Sequence, residues 1–284
     1  MSSKLSQMIK IISKSYSLQQ AKQEAVWISQ ELPESKWFDA CEKRSNLVPL
    51  QYILGNQPFG KLDIKCEEGV LIPRLDTEEW VLEATNLLKN INIDNLIDYC
   101  TGSGCIGLGF ASELNNLKNL DCIDFNDNAI NLSIKNLNHN KIFFKKTNIN
   151  IYKGNLLKGF LPSINENSIS LLLSNPPYIP KNDLNKNNVE ESVLKFEPKE
   201  ALLGDIEFYD ALCTKILQKN NSFKGFIFEL GYIHQAEIVN KLLNNNQSWK
   251  IGIRNDQSGN LRNVIGWKVD SEFTILEKMV HTCF

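Results

Sequence analysis

Asn175-Pro176-Pro177-Tyr178 directly follows the apolar run Ile169 to Leu173. The run reads as a buried strand, so these residues sit where a parallel sheet opens into a site. Neither proline has an N–H, and each biases the residue before it towards extended backbone, which turns the carbonyls of Asn175 and Pro176 outward. The side-chain oxygen of Asn175 and the carbonyl of Pro176 then both accept hydrogen bonds from one planar NH2 group. Tyr178 offers that group a flat face to stack on. Such a clamp suits methylation of an amide or an exocyclic amine, whose nitrogen is a poor nucleophile because its lone pair is delocalised. Asn-Pro and Pro-Pro also mark ordinary loops, and taken alone the motif leaves these two readings evenly matched.

A second group upstream separates them. Leu96-Ile97-Asp98-Tyr99-Cys100 reads as a strand, followed by Thr101-Gly102-Ser103-Gly104-Cys105-Ile106-Gly107 and an apolar helical run through Leu108, Phe110 and Ala111. Glycines at a strand-to-helix turn let backbone approach a ligand closely, and the helix N-terminus presents free N–H groups. Gly102, Gly104 and Gly107 satisfy the dinucleotide pattern G-x-G-x-x-G, with Asp124 about twenty residues on. Asp98 closes the first strand, however, and a carboxylate there suits a cationic ligand end better than a pyrophosphate. S-adenosyl-L-methionine has such an end, an ammonium and a sulfonium, and carries no phosphate. Asp124 ends the next strand, Leu120-Asp121-Cys122-Ile123, where it can accept both ribose hydroxyls. Asp98, the glycine turn, Asp124 and Asn-Pro-Pro-Tyr follow one another in the order and spacing of successive strand ends, which points to an amino-methyltransferase.

The elements that position these residues are legible in outline. Leu18, Ala21, Ala25, Ile28 and Leu32 recur at helical spacing, and Pro33 ends that helix. Residues 1–45 are therefore read as a small helical N-terminal domain, with Trp27 and Trp37 in its core. Residues 46–74 read as a linker with a β-hairpin, Phe59 to Lys65 and Val70 to Ile72 around Glu68-Gly69. Residues 75–284 alternate helices and apolar strands, the latter near Leu96, Leu120, Ile149, Ile169, Phe226, Ile251 and Val264. That alternation predicts an α/β domain, a mostly parallel, Rossmann-like sheet covered on both faces. Lys181 through Asn188 form a polar insert after the clamp, placed to shape a substrate.

Composition narrows the function further. A net charge of −2 over 284 residues gives no global attraction to nucleic acid, and no apolar run approaches a membrane span. The cluster Lys141, Lys145 and Lys146 reads as a solvated loop, and Asn244-Asn245-Asn246 as a surface loop. Seven cysteines, an odd number without a Cys-x-x-Cys pair, argue for a reducing compartment, and His139, His234 and His281 lack zinc-ligand spacing. No metal is expected, and Cys105 is read as a space-filler. The stretch before Glu24 carries Lys4, Lys10, Lys14 and Lys22 and no acid, which fits a mitochondrial transit peptide or equally the first helix of the N-terminal domain.

The chain as a whole resembles the PrmC/HemK family, the protein-glutamine N5-methyltransferases that modify peptide-chain release factors. The resemblance rests on Pro49 through Gly55, Phe59-Gly60, Leu71-Ile72-Pro73-Arg74 with Asp76-Thr77-Glu78, and the glycine loop. It continues through Asn-Pro-Pro-Tyr-Ile, Phe196-Glu197-Pro198 with Ala201-Leu202, Phe228-Glu229-Leu230-Gly231, and Asp256, Gly259 and Arg262. Asn-Pro-Pro-Tyr is shared with adenine-N6 methyltransferases, whereas the Gln-Tyr-Ile-Leu-Gly and Ile-Pro-Arg blocks are far more specific. Leu75-Asp76-Thr77-Glu78-Glu79-Trp80 after Arg74 looks like the fungal mitochondrial branch. Cys100 stands where the family has its first loop glycine, and Asn155 where it has an acidic residue near the adenine.

The resemblance implies a class I S-adenosylmethionine-dependent fold and transfer to the glutamine of the Gly-Gly-Gln loop of a class-1 release factor, with the enzyme a mitochondrial or else cytoplasmic monomer. It implies cofactor contacts from Asp98, Cys100, Thr101, Gly102, Ser103, Gly104, Asp124, Asn155, Leu156 and Asn175. Asn175, Pro176 and Tyr178 would act on the acceptor amide, with Pro177, Phe59 and Arg74 on the substrate. Arg74, Thr77 and Glu78 would order the adjoining loop, and Glu197 would brace the Asn-Pro-Pro-Tyr loop. Residues 1–45 would recognise the release factor. The rival is an adenine-N6 methyltransferase on DNA or RNA, disfavoured by charge and by the lack of residues for a target-recognition domain. A scaffold that binds a translation factor without modifying it is disfavoured by the intact Asp98, Asp124 and Asn175.

Overall fold

The computed structural model describes residues 3–144, 146–244 and 248–284, so Lys145, Asn245 and Asn246 lie outside the described residues. Helices α1 (Ser3–Ile12), α2 (Leu18–Glu31), α3 (Trp37–Ser45) and α4 (Leu50–Leu54) open the chain. The Ser17 side chain caps α2 by accepting from the N–H of Gln20, and Pro33 follows its last turn. Met8, Ile12, Ala25, Ile28, Cys41 and Leu50 form a core of their own, with Ile53 and Leu54 packed on it. Residues 3–12 are thus a packed helix of this unit. Its core also runs past residue 45, because α4 contributes apolar side chains from what the sequence marked as linker. Trp37 packs here and donates its Nε1–H to the Leu32 carbonyl at 2.9 Å. Trp27, in contrast, is 44% exposed, a surface residue rather than the core residue expected.

A hairpin follows, β1 (Asn56–Phe59) paired antiparallel with β2 (Leu62–Lys65). Its turn is at Gly60 and Lys61, where Gly60 takes φ 55°. The expected second strand at Val70–Ile72 is instead irregular chain lining a cavity, and the hairpin turns at Gly60-Lys61 rather than at Glu68-Gly69. The outer edge of β2 is paired by side chains. Asn136 and Asn140, one turn apart on α7 (Asp127–His139) and at its end, offer their carboxamides to the backbone of Lys65 and Asp63 at 2.7–3.2 Å.

The principal sheet runs in the order β10-β8-β9-β7-β6-β3-β4-β5. β3 (Ile93–Tyr99), β4 (Leu117–Asp124), β5 (Asn148–Lys153), β6 (Ser170–Ser174) and β7 (Phe223–Glu229) are parallel. β8 (Trp249–Asn255), β9 (Leu261–Lys268) and the short β10 (Thr282–Cys283) pair antiparallel. Each strand expected for this sheet is present, and β10 is added at the edge.

Alternate residues of the central strands enter opposite cores, Leu96, Leu171 and Leu173 one, Ile97 and Leu172 the other. The first core is covered by α5 (Leu75–Leu88) and α6 (Cys105–Glu113) through Trp80, Val81 and Phe110. The second is covered by the helix over Ile206–Ala211 and that over Ile233–Leu243, through Tyr209 and Val239. Strand order reverses between β3 and β6, and a ligand site is expected beyond their C-terminal ends. Among the described residues no helix is long and apolar enough to cross a membrane.

Candidate active site

A cavity of about 320 Å³ opens at that switch point, walled by the loops after β3, β4, β5 and β6 and by residues 69–74. Cys100, Thr101, Gly102 and Ser103 form one wall, with Asp124, Asn155, Leu156, Asn175 and Pro177 opposite or beside them. Gly104 does not line the cavity; at φ 83° it caps the N-terminus of α6. That left-handed conformation is the one in which glycine costs least. Cys100 adopts φ 59° despite its side chain, a strain of about 1–2 kcal/mol that the loop geometry imposes. Burial pushes its thiol well above the ordinary cysteine range. The Cys105 thiol is likewise pushed up to about 12 by burial, so it remains protonated, as suits a space-filler.

The carboxylates are placed differently from one another. Asp124 touches the cavity; its Oδ2 accepts the Gly102 N–H at 2.9 Å and its Oδ1 the Asn126 N–H at 3.0 Å. Burial raises its pKa against the lowering by these backbone donors. Asp98 is fully buried beneath the glycine loop and does not line the cavity, contrary to the direct ligand contact expected of it. The loop itself takes the carboxylate, because Oδ2 accepts from Thr101 Oγ1 at 2.6 Å and from the Gly107 N–H at 2.9 Å. Oδ1 is buried without a partner, and burial lifts the pKa from 3.8 to about 7.

A folded-state pKa above the unfolded one means that the folded chain holds a proton the unfolded chain releases. This stabilisation is complete below about pH 4 and is lost as the pH rises to about 7. Asp98→Asn should therefore raise the melting temperature of the ligand-free protein at pH 8 by about 5 °C or more. At pH 4 the two proteins should melt together. Equal melting temperatures at both pH values would show that Asp98 carries no such burden.

A second cavity, of about 370 Å³, adjoins the first; both are lined by Asn175, Arg74, Leu71 and Ala201. Tyr178, Ile179, Asn188 at the end of the polar insert, and Val189 and Glu190 beyond it also line this second cavity. The Asn175 side chain makes no hydrogen bond among the described residues, and the carbonyl of the buried Pro176 accepts none. The Asn175 carboxamide is thus open to an incoming group at the junction of the cavities, whereas Pro176, expected to act on the acceptor, is buried and lines neither cavity.

Arg74 donates to Glu197 Oε1 at 2.7 Å, and Glu197 Oε2 accepts the Ile72 N–H at 3.1 Å. Glu197 hence braces the 72–74 segment, not the Asn-Pro-Pro-Tyr loop expected. Glu78 accepts the Gly60 N–H at 2.7 Å, fixing the hairpin turn, while Thr77 reaches the buried Glu229. Phe59, expected to meet substrate, is 2% exposed and sits in the core with Val81 against Gly109. Its aromatic ring fills the space between the hairpin and α6, and it lines neither cavity.

Phe125 was missed. Its ring is 49% exposed and lines the first cavity beside Asp124, and an aromatic residue directly after a strand-end acid was the available signal. Among residues lining that cavity the only cation is Arg74, already neutralised by Glu197. A pyrophosphate would lack a counter-charge. An orphaned buried carboxylate oxygen below the loop, Asp124 at the wall and an exposed aromatic face instead fit a cationic nucleoside. Among the described residues no group of His, Cys, Asp and Glu is placed to hold a metal ion.

Comparison with known proteins bears on family and activity. Residues 74–199 match the family model of the methyltransferase small domain. The chain is 37% identical to the mitochondrial MRF1 N(5)-glutamine methyltransferase of Saccharomyces cerevisiae, covering 92% of this chain and 84% of that protein. It is 35% identical to the probable mitochondrial MRF1 N(5)-glutamine methyltransferase of Schizosaccharomyces pombe, over 86% of this chain and 87% of that one. A release factor glutamine methyltransferase of Fusobacterium nucleatum is 38% identical over 78% of this chain and 60% of that protein. Among solved structures, the human Mettl16 catalytic domain superposes with a TM-score of 0.58 at 16% identity, covering 82% of this chain and 83% of that one. That last likeness is one of fold.

Proposed function

The chain belongs to the release factor glutamine N5-methyltransferases, and we propose that it works by holding the acceptor amide between Asn175, Pro176 and Tyr178 at the junction of the two cavities. It is an S-adenosylmethionine-dependent protein-glutamine methyltransferase, and the release factor named for its relatives, together with the resemblance of its motifs, supports the glutamine of the Gly-Gly-Gln motif in a class-1 release factor as its substrate. The observation that carries the mechanism is the free carboxamide of Asn175, shared by both cavities.

S-adenosylmethionine supplies an electrophilic methyl group on a sulfonium. Asp124, Phe125, Asn155 and the loop from Cys100 to Ser103 would hold it, with Asp98 lending negative charge from below. The protein's own task is orientation. The Asn175 side-chain oxygen and the Pro176 carbonyl accept the two amide hydrogens, and Tyr178 lies against the amide plane, so the nitrogen faces the first cavity. Holding reactants in such geometry is worth roughly 7–11 kcal/mol in favourable models. As the N–C bond forms, the S–CH3 bond breaks with its electron pair returning to sulfur, and the amide nitrogen releases one proton to water, leaving a neutral, conjugated N-methyl amide.

The release factor is proposed to dock on the helical unit, where Leu18, Trp27 and Phe38 are 58%, 44% and 37% exposed. Tyr52 of α4 donates to the Val70 carbonyl at 2.8 Å, tying this unit to the wall of the cofactor cavity. The relatives named above as mitochondrial support placing this chain in that organelle. Labelled S-adenosylmethionine offered with a whole release factor, a Gly-Gly-Gln peptide, DNA and RNA tests the scheme. The whole factor should be labelled on its glutamine at least about 100-fold faster than the peptide, and nucleic acid not at all. Labelling of adenine instead would overturn the substrate, and equal use of the peptide would remove the recognition role of the helices.

A further inference from the structure

Tyr178 is held at several points by elements far from it in sequence. Its ring lies against Gly231, where an added Cβ would come within 2.9 Å of Cδ2. Its carbonyl accepts from Gln235 Nε2 at 2.9 Å, and the Oε1 of that glutamine accepts the N–H of Gly231 and of Tyr232. Its hydroxyl donates to Glu229 Oε1 at 3.5 Å. Glu229 is fully buried at the end of β7, and its Oε2 accepts from Thr77 Oγ1 at 2.7 Å and Trp80 Nε1 at 3.0 Å.

One carboxylate thus joins two walls. Thr77 lines the cofactor cavity and Tyr178 the acceptor cavity. Trp80 and Thr77 belong to α5, whereas Tyr178 belongs to the loop after β6, so no local secondary structure sets the distance between them. Burying a carboxylate is costly, and burial indeed raises the Glu229 pKa. A core of this size had apolar alternatives for that position, and the group retained accepts from both walls at once.

We propose that Glu229 is a positioning residue for methyl transfer, fixing the Tyr178 ring relative to the cofactor cavity through the tyrosine hydroxyl on one oxygen and Thr77 with Trp80 on the other. The proposal rests on the clamp described above. It assigns Glu229 no contact with either reactant. Its effect should therefore appear in turnover rather than in the binding of either partner, and should require the Tyr178 hydroxyl.

The test is a double-mutant cycle in the full-length protein with Glu229→Gln, Tyr178→Phe and both, using a whole release factor as acceptor. Glutamine keeps the shape but removes one acceptor oxygen. Glu229→Gln should lower kcat about 10-fold or more, with KM for the factor and the cofactor Kd within about 3-fold. In the Tyr178→Phe background the same change should cost less than about 2-fold. Undiminished kcat, or full additivity in the double variant, overturns the proposal, since a merely structural carboxylate would lower activity with or without the hydroxyl. Should Glu229→Gln fail to fold, Thr77→Val is read in its place, with loss of kcat at constant cofactor Kd expected and no loss overturning the idea. Asn175→Ala is assayed alongside. Wild-type turnover in that variant defeats the clamp itself, whereas its inactivity beside an active Glu229→Gln defeats only the role of Glu229.

Discussion

Asn175→Ala lowers methyl transfer by about 100-fold or more while leaving cofactor affinity within a few-fold. The magnitude follows from removing a preorganised hydrogen-bond group at the reacting centre, which typically costs about 2.7–4 kcal/mol in kcat. Asn175 has no side-chain hydrogen-bond partner among the described residues, and it lines both cavities. Truncation thus leaves the protein intact and one hydrogen of the acceptor amide unpaired in a closed site. Initial rates with a whole release factor, together with calorimetric titration of S-adenosylmethionine, separate the two quantities. Near-normal turnover would show that the amide is oriented by something else.

Asp124→Ala has its effect on the other side of the reaction. The carboxylate already steadies the N–H groups of Gly102 and Asn126, and each of its oxygens retains a lone pair for a ribose hydroxyl. Charge-assisted hydrogen bonds are worth about 1.5–3 kcal/mol each, so losing two of them weakens the cofactor Kd by about 100-fold or more. The same titration measures it. An unchanged dissociation constant would place ribose recognition elsewhere along the cavity wall, and a collapsed melting temperature would mean that Asp124 serves chiefly to hold Gly102.

Periodic features were readable from the chain. The strands announce themselves because they are short, continuous apolar runs bounded by polar turns, and the glycine turn and Asn-Pro-Pro-Tyr lie directly at two of their ends. Local chemistry therefore located both cavities. What could not be read were relations between distant segments. Glu197 looked like a partner of the loop twenty residues before it, but it serves Ile72 and Arg74, more than a hundred residues away. Phe59 was assigned to the substrate by resemblance alone, yet the hairpin folds its ring under α6. Asp98 was correctly placed at a strand end, but period-2 reasoning does not say whether a strand-end side chain points into the opening or beneath the loop that covers it. Gln235 carries no local signal, and Glu229 stood out only as part of the Phe228-Glu229-Leu230-Gly231 block without a role, since the importance of both arises only once β7 lies beside β6.

The side-chain pairing of β2 bears on how the protein behaves among its own copies. An unpaired strand edge is a template on which another chain can add. Here the groups that Asp63 and Lys65 turn outward are already taken by Asn140 and Asn136. The fit follows from pitch: four residues along a helix rise about 6 Å and two along a strand about 6.7 Å. A helix can therefore stand in for a missing strand where carboxamides occur one turn apart. The β2 edge of the hairpin that joins the helical unit to the sheet domain is thereby closed to intermolecular β-addition without a further strand. An asparagine-rich composition, which by itself would suggest a tendency to self-associate, serves at this edge as protection against it.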